Sequence, residues 1–388
     1  MRLILIIIVI SQFLCASVWF AGNSIITDIA REFNLGAHFL ANMTSIVQFG
    51  FISGTLVFAI LTISDRFSPS VVFFISSILA GLFNLGISFH GVHSTEILMF
   101  RFFTGFFLAG IYPVGMKIAS DYYQAGLAKS LGYLVGALVI GTAFPHLLKG
   151  LITGFPWRYV IYTTTILALI GGLCVLLLVP NGPYRKAGQK IKLSAFMDGF
   201  KYPEVRSAAF GYFGHMWELY TLWAFIPVIL TTNPNITINV PLLSFLLIAA
   251  GGPGCVLGGI LSQHFDPKKI AMLALSLSGL CCIISPLFLF SGSSLSLIIF
   301  LFFWGITVTA DSPIFSSLVA RNSPEESRGS SLTIVTCIGF AITIVSIQFI
   351  NMLSDKISAQ YIYMLLAIGP VIGVAALLKK RQHKEIMN

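Results

Sequence analysis

Apolar runs long enough to cross a lipid bilayer recur along this chain almost from end to end. A hydrocarbon core about 30 Å thick is spanned by roughly 20 helical residues at 1.5 Å each. Windows of about 19 residues place such runs near 3–27, 40–63, 70–90, 96–119, 130–151, 157–179, 207–231, 240–262, 270–290, 295–319, 331–351 and 359–378. A backbone in lipid must satisfy its own hydrogen bonds, so runs of this length fold as helices. The expected fold class is an all-α polytopic membrane protein with twelve transmembrane helices. Composition leaves no water-soluble alternative. Apolar residues make up 56% and charged residues 10% of the 388, whereas a soluble domain carries about 25% charge.

Met1-Arg2 followed by Leu-Ile-Leu-Ile-Ile-Ile-Val-Ile matches the start of a signal peptide, with Cys15-Ala16-Ser17 as a cleavage-like site. The apolar run continues through Val18-Trp19-Phe20 to Thr27, so it is read as an uncleaved first span. The net charge of +9 sits in short loops and forms no soluble basic face. Nucleic acid is therefore not an expected partner. Of the 23 Lys and Arg, only Arg31, Arg101, Lys149, Arg158 and Lys356 fall away from the side that holds the termini. Basic residues collect on the cytoplasmic side of short loops. Both termini are thus expected to be cytoplasmic. The six cysteines all lie in apolar runs with no Cys-x-x-Cys pair and read as small buried residues.

The long polar stretch PNGPYRKAGQKIKLSAFMDGFKYPEVR occupies 180–206 and carries six Lys/Arg against Asp198 and Glu204. It divides the chain into an N-terminal six-helix bundle (1–179), a cytoplasmic basic linker (180–206) and a C-terminal six-helix bundle with a short cytoplasmic tail (207–388). Residues 193–200 are expected to form a short amphipathic helix on the membrane surface.

The two halves resemble each other. Arg101-Phe-Phe-Thr-Gly105 followed by Tyr112-Pro113 recurs as Leu301-Phe-Phe-Trp-Gly305 followed by Ser312-Pro313, offset by 200. Ser64-Asp65-Arg66-Phe67-Ser68-Pro69 recurs as Ser262-Gln263-His264-Phe265-Asp266-Pro267, offset by 198. Repeats in equivalent places on either side of a basic loop describe two homologous bundles that face each other across a central site.

On these residues the chain resembles the major facilitator superfamily over essentially its whole length. The six-plus-six spans, the central basic loop and Ser64-Asp65-Arg66-Phe67 match, the last resembling the core of the family's motif between helices two and three. That motif normally continues into Gly and a basic pair and opens on Gly. Here Ser68, Pro69 and Ser70 follow, and Leu61 stands in the leading position. Arg101 to Gly105 resembles the helix-four Arg-x-x-x-Gly element, and Pro156-Trp157-Arg158 resembles the start of helix six. The Gly-Pro pair of the antiporter signature belongs in helix five, where this chain has Gly136, Gly141 and Pro145. Its Gly252-Pro253 lies in helix eight. His215-Met-Trp-Glu218-Leu loosely resembles the branch of cyanate-permease-like and anion transporters. The resemblance implies a multi-pass protein of the inner or plasma membrane that works by alternating access. It also implies a monomer whose partners are the lipid bilayer, a small-molecule substrate and protons, a gating loop at Asp65 and Arg66, and a cavity lined by helices one, four, seven and ten.

A charge at mid-bilayer costs roughly 2.5–3.5 kcal/mol on insertion scales, so each one needs a reason. Glu218 lies near the middle of span seven, with His215 one turn earlier on the same face. Asp311 lies in span ten, Arg101 one to two turns inside span four, and Asp28 at similar depth in span one. Arg101 and Asp28 are expected either to pair as a structural tie or to act by attracting an anion. Lys117 and Asp121 read as a solvated helix-end pair, and Lys149 as snorkelling to the surface. Gln12, Trp19 and Asn23 share one face of span one. Tyr112 joins the Arg101 face in span four, Trp223 joins span seven, and Trp304 and Thr307 precede Asp311 in span ten. Gly251-Gly252-Pro253-Gly254 is expected to bend span eight.

No His-Glu-x-x-His, Gly-x-Ser-x-Gly or P-loop pattern is present, and no metal or cofactor is expected. The function expected is secondary active transport of a small organic or inorganic anion, coupled to protons through Glu218. The alternatives are a drug or metabolite efflux transporter of the same fold and, further off, a polytopic membrane enzyme or a receptor.

Overall fold

The computed structural model describes residues 2–36, 38–123, 127–152, 154–185, 200–233, 236–289, 293–324 and 328–379. Regular structure among them is entirely helical. Span 1 is built from Arg2–Ala16 and Ala21–Ser24, with a break over 17–20, and Ile26–Glu32 continues it beyond the apolar run that ends at Thr27. Spans 2 to 6 are Phe39–Ile60, Pro69–Gly86, Ser94–Tyr122, Leu127–Leu151 and Arg158–Leu178. Spans 7 to 12 are Pro203–Thr232, Val240–His264, Pro267–Leu289, Ser294–Asn322, Arg328–Leu353 and Ile362–Leu378, the last opening with a 3-10 segment. Among the described residues, nine helices are long and apolar enough to cross a membrane by themselves, namely spans 2–6 and 8–11. Span 7 has 30 residues and carries polar groups in its middle. The amphipathic helix expected over 193–200 lies, apart from residue 200, outside the described residues.

The spans break where the sequence sets prolines and glycines. Span 4 breaks over Ala109–Ile111 and restarts with Pro113 in its first turn; span 10 breaks at Asp311 and restarts with Pro313. A proline fits there because the first-turn N–H has no intrahelical partner to lose. Span 8 breaks at Ala250, immediately before the Gly-Gly-Pro-Gly run, as expected.

Span 2 packs on span 4, span 3 on span 6, and span 1 on spans 5 and 6; in the second half, span 8 packs on span 10, and span 7 on spans 11 and 12. Glycines make the closest approaches. A side chain at Gly54 would collide with the Phe106 carbonyl, and one at Gly254 with the Ile306 carbonyl. Gly105 meets the Val47 carbonyl, and Gly305 the Leu247 carbonyl. Each pair recurs at an offset of 200, so the repeat read in the sequence is also a repeat of backbone contacts. Without a hydrophobic drive between helices in lipid, such close approach is a main source of helix–helix attraction. The two sets of six meet mainly along span 5 on span 8 and span 2 on span 11.

Two ion pairs differ from expectation. Asp28 pairs with Lys149 of span 5 at 2.7 Å. It therefore does not tie to Arg101, and Lys149 does not snorkel free. Arg101 is engaged instead by the carbonyls of Val18 and Trp19 in the break of span 1. Lys117 pairs with Asp65 at 2.5 Å rather than with Asp121. The residues 63–66 form a short helix that turns Asp65 toward span 4, and Arg185 fixes the same loop by donating to the carbonyls of Asp65 and Phe67. Arg66 is exposed.

Glu32 accepts from Arg158 at 2.5 Å and from the Trp157 indole N–H at 2.7 Å. Arg158 foremost, with that indole, holds the Glu32 carboxyl below its ordinary value of 4.5. A depressed carboxylate favours folding above its unfolded pKa, and the contribution is lost as pH falls through the folded value. Glu32→Gln should therefore melt modestly below the parent at neutral pH. In thermal scans the gap should close as the pH falls below 4.5 through the folded value.

Candidate functional site

Glu218 is fully buried at the middle of span 7. Three donors meet its two oxygens. Trp304 Nε1 of span 10 donates to Oε1 at 2.6 Å, and Cys282 Sγ of span 9 donates to the same atom at 3.3 Å. Ser278 Oγ, one turn before Cys282, donates to Oε2 at 2.9 Å. A carboxylate drawn out of water is tolerated where its oxygens are met in this way. One turn earlier on span 7, His215 Nδ1 lies 2.8 Å from Asp311 Oδ1, with both side chains fully shielded from solvent. The approach is off the line of a good hydrogen bond, so neither residue has a well-aligned partner. Asp311 sits at the break of span 10, where its own carbonyl accepts from the amides of Ile314 and Phe315.

Arg101 is fully buried. Its guanidinium donates to the Val18 carbonyl at 2.9 Å and to the Trp19 carbonyl. These are carbonyls that the break in span 1 leaves without helical partners. Arg101 Nε has no partner, and among the described residues no carboxylate pairs with this cation.

Between the halves lies a cavity walled by Tyr112, Tyr212, Tyr220, Trp223 and Phe340, with Thr309, Ser312 and aliphatic residues of spans 5 and 7 completing it. No charged residue lines it. Its volume is about 20 Å³, room for about one water molecule. Trp19 stacks on Tyr220 and Phe340 with centroids 5.9 and 5.8 Å apart, and Phe51 lies 4.5 Å from Phe340. These contacts join spans 1 and 2 to spans 7 and 11. At the end away from the termini, His38 contacts Asn351 at 3.1 Å and Asp355 at 3.5 Å. Gln348 donates to Asn42 and Ser45, and Asn239 to the Gly150 carbonyl. The two halves are thus latched at that end.

The expected stripes are only partly one surface. Tyr112 and Trp223 line the cavity, Trp304 holds Glu218, and Trp19 joins the ring cluster. Asn23 donates to Thr44 at 2.7 Å and ties span 1 to span 2. Gln12 is buried against Gly115 of span 4 with both amide atoms unpartnered. Ser278, and Gln48, which is buried with both amide atoms unpartnered, were not among the expected site residues, and Cys282 was expected only as a small buried residue. The Ser278/Cys282 spacing of four in an apolar span was the available signal. Among the described residues, no group of three His, Cys, Asp or Glu is placed to hold a metal ion.

A twelve-span helical protein with buried ionisable groups in its spans and a small cavity between its halves has the architecture of a membrane transporter. The chain belongs to the Major Facilitator Superfamily, whose family model matches residues 8–347 and 208–386. Its fold is similar to that of the proton:xylose symporter XylE, solved with 6-bromo-6-deoxy-D-glucose bound. The TM-score is 0.76 and the sequence identity 13%, with 96% of this chain and 94% of that one covered. It is also similar to the MFS-type transporter acdC of Aspergillus candidus, at 24% identity over 217 residues. That match takes in half of this chain and 41% of the relative's length.

Proposed function

We propose that the protein is a proton-coupled secondary transporter that moves a small anion by alternating access between two six-helix halves divided at 180–206. The observation that carries this reading is Glu218: a buried carboxylate whose partners come from spans 9 and 10 of the same half. A proton on Glu218 weakens its acceptance from Trp304 and Ser278 and removes a charge from the interior. Loading the proton therefore changes how spans 7, 9 and 10 are held. One turn away, His215 Nδ1 lies 2.8 Å from Asp311 Oδ1 in the same half. Arg101, a buried cation with no carboxylate partner among the described residues, supports an anionic solute. The uncharged, ring-rich cavity wall favours a second reading, efflux of a drug or metabolite.

Transport by this scheme is tested by accumulation in proteoliposomes under an imposed pH gradient. The orientation, with both termini cytoplasmic in an inner or plasma membrane, is tested by reporter fusions. Fusions after Lys192 and Lys380 are expected to read cytoplasmic and one after Asn235 periplasmic. A periplasmic signal at Lys192 contradicts the orientation.

A further inference from the structure

We propose that the transported solute is an aromatic carboxylate, held by ring stacking and by neutral N–H and O–H donors; this rests on the small-anion reading above. The wall of the central cavity supplies three phenols, one indole and one phenyl ring, and no formal charge. Trp223 is 1% exposed, lines this cavity, and its Nε1–H has no partner. A buried donor left unmet is costly, and an acceptor brought by the solute removes that cost. Trp19, stacked on two of the rings around the cavity, also has an unpartnered Nε1–H. An indole N–H only donates, so the solute must accept.

Ring contacts argue for a flat π-system. Tyr220 lies 5.2 Å from Trp223 and 5.3 Å from Phe340, at tilted to edge-on angles. The rings fill the space themselves, leaving about 20 Å³. A flat aromatic solute that parts them replaces ring–ring contact by ring–solute contact. A small inorganic anion offers no such replacement.

An aromatic cage alone would also suit a cation. The unmet polar groups decide against it. Arg101 bonds the carbonyls of Val18 and Trp19 and stands directly behind the Trp19 backbone, with no carboxylate against it among the described residues. Trp19 Nε1, Trp223 Nε1 and Arg101 Nε are buried donors without partners. A carboxylate gives these donors an acceptor, and an ammonium gives them none.

The test is binding to the purified full-length protein in detergent, without any gradient. The probes are 4-fluorobenzoate, cyclohexanecarboxylate and benzyltrimethylammonium. The expected result is saturable quenching of tryptophan fluorescence by 4-fluorobenzoate, with the other two binding at least tenfold more weakly. Equal binding of cyclohexanecarboxylate overturns the aromatic requirement, and tighter binding of benzyltrimethylammonium overturns the sign of charge. Trp223→Phe keeps a ring and removes the N–H. It should weaken 4-fluorobenzoate about tenfold, equivalent to about 1.4 kcal/mol, and unchanged affinity overturns the donor role. A readout on the parent protein stands even if that variant does not fold. The ¹⁹F resonance of 4-fluorobenzoate should shift upfield on binding and return when excess benzoate, but not excess cyclohexanecarboxylate, is added. Absence of that shift overturns the proposal. Binding of 4-fluorobenzoate without pH-driven uptake supports the solute and contradicts proton coupling. Accumulation of a non-aromatic solute with no 4-fluorobenzoate binding does the reverse.

Discussion

Replacing Glu218 by glutamine is expected to abolish accumulation of substrate against a gradient while leaving exchange across the membrane intact. The amide keeps the shape of the carboxylate. Its carbonyl can still accept from Trp304, and its NH₂ can face Ser278 Oγ, which accepts as readily as it donates. What is lost is the titration. A carrier that cannot load and release a proton still cycles with substrate bound but no longer couples the cycle to the pH gradient. Concentrative uptake and counterflow in the same proteoliposomes separate the two. If Glu218 merely braces spans 7, 9 and 10, the neutral variant accumulates normally under a pH gradient. That outcome moves the coupling site to Asp311 and His215.

Arg101 is the second position where a single change has a large expected effect. Its two N–H groups satisfy carbonyls on either side of one residue step, a match to the planar guanidinium fork. Arg101→Gln leaves at least one of these buried carbonyls bare, at about 1–3 kcal/mol, and removes the positive charge beside the rings. Most of the transport should be lost, and the melting temperature should fall. Arg101→Lys keeps the charge, reaches one carbonyl and should retain part of the transport. The exchange of Arg101→Asp with Asp28→Arg should not restore function, because Asp28 pairs with Lys149. Full rescue by that double variant would contradict the capping role.

The number and order of the spans were legible because hydrophobic length is a local property of the sequence. So was the duplication, since Gly105 and Gly305 keep the same contacts in both halves. The partners of the charges were not. Depth along a helix follows from counting residues, but the neighbour across the gap depends on helix order and rotation, which a single chain does not carry. Asp28 and Arg101 share a depth, yet Arg101 turns to the carbonyls of the span 1 break and Asp28 turns to Lys149. Ser278 and Cys282 escaped notice for another reason. In an apolar run, a small side chain that holds a carboxylate looks the same as one that fills a gap. The Glu218–Trp304 contact was half legible, both residues having been singled out without being joined.

Alternation of the two halves is tested most directly by distances measured across them. One spin-label pair at positions 36 and 356 reports the end away from the termini, which is latched here through His38, Asn351 and Asp355. A second pair at Phe67 and Phe265, both exposed, reports the end that holds the termini. As pH or substrate is changed in liposomes, the two distance distributions should move in opposite directions, the 36–356 pair lengthening where the 67–265 pair shortens. Distributions that stay fixed, or that lengthen together, would contradict alternating access.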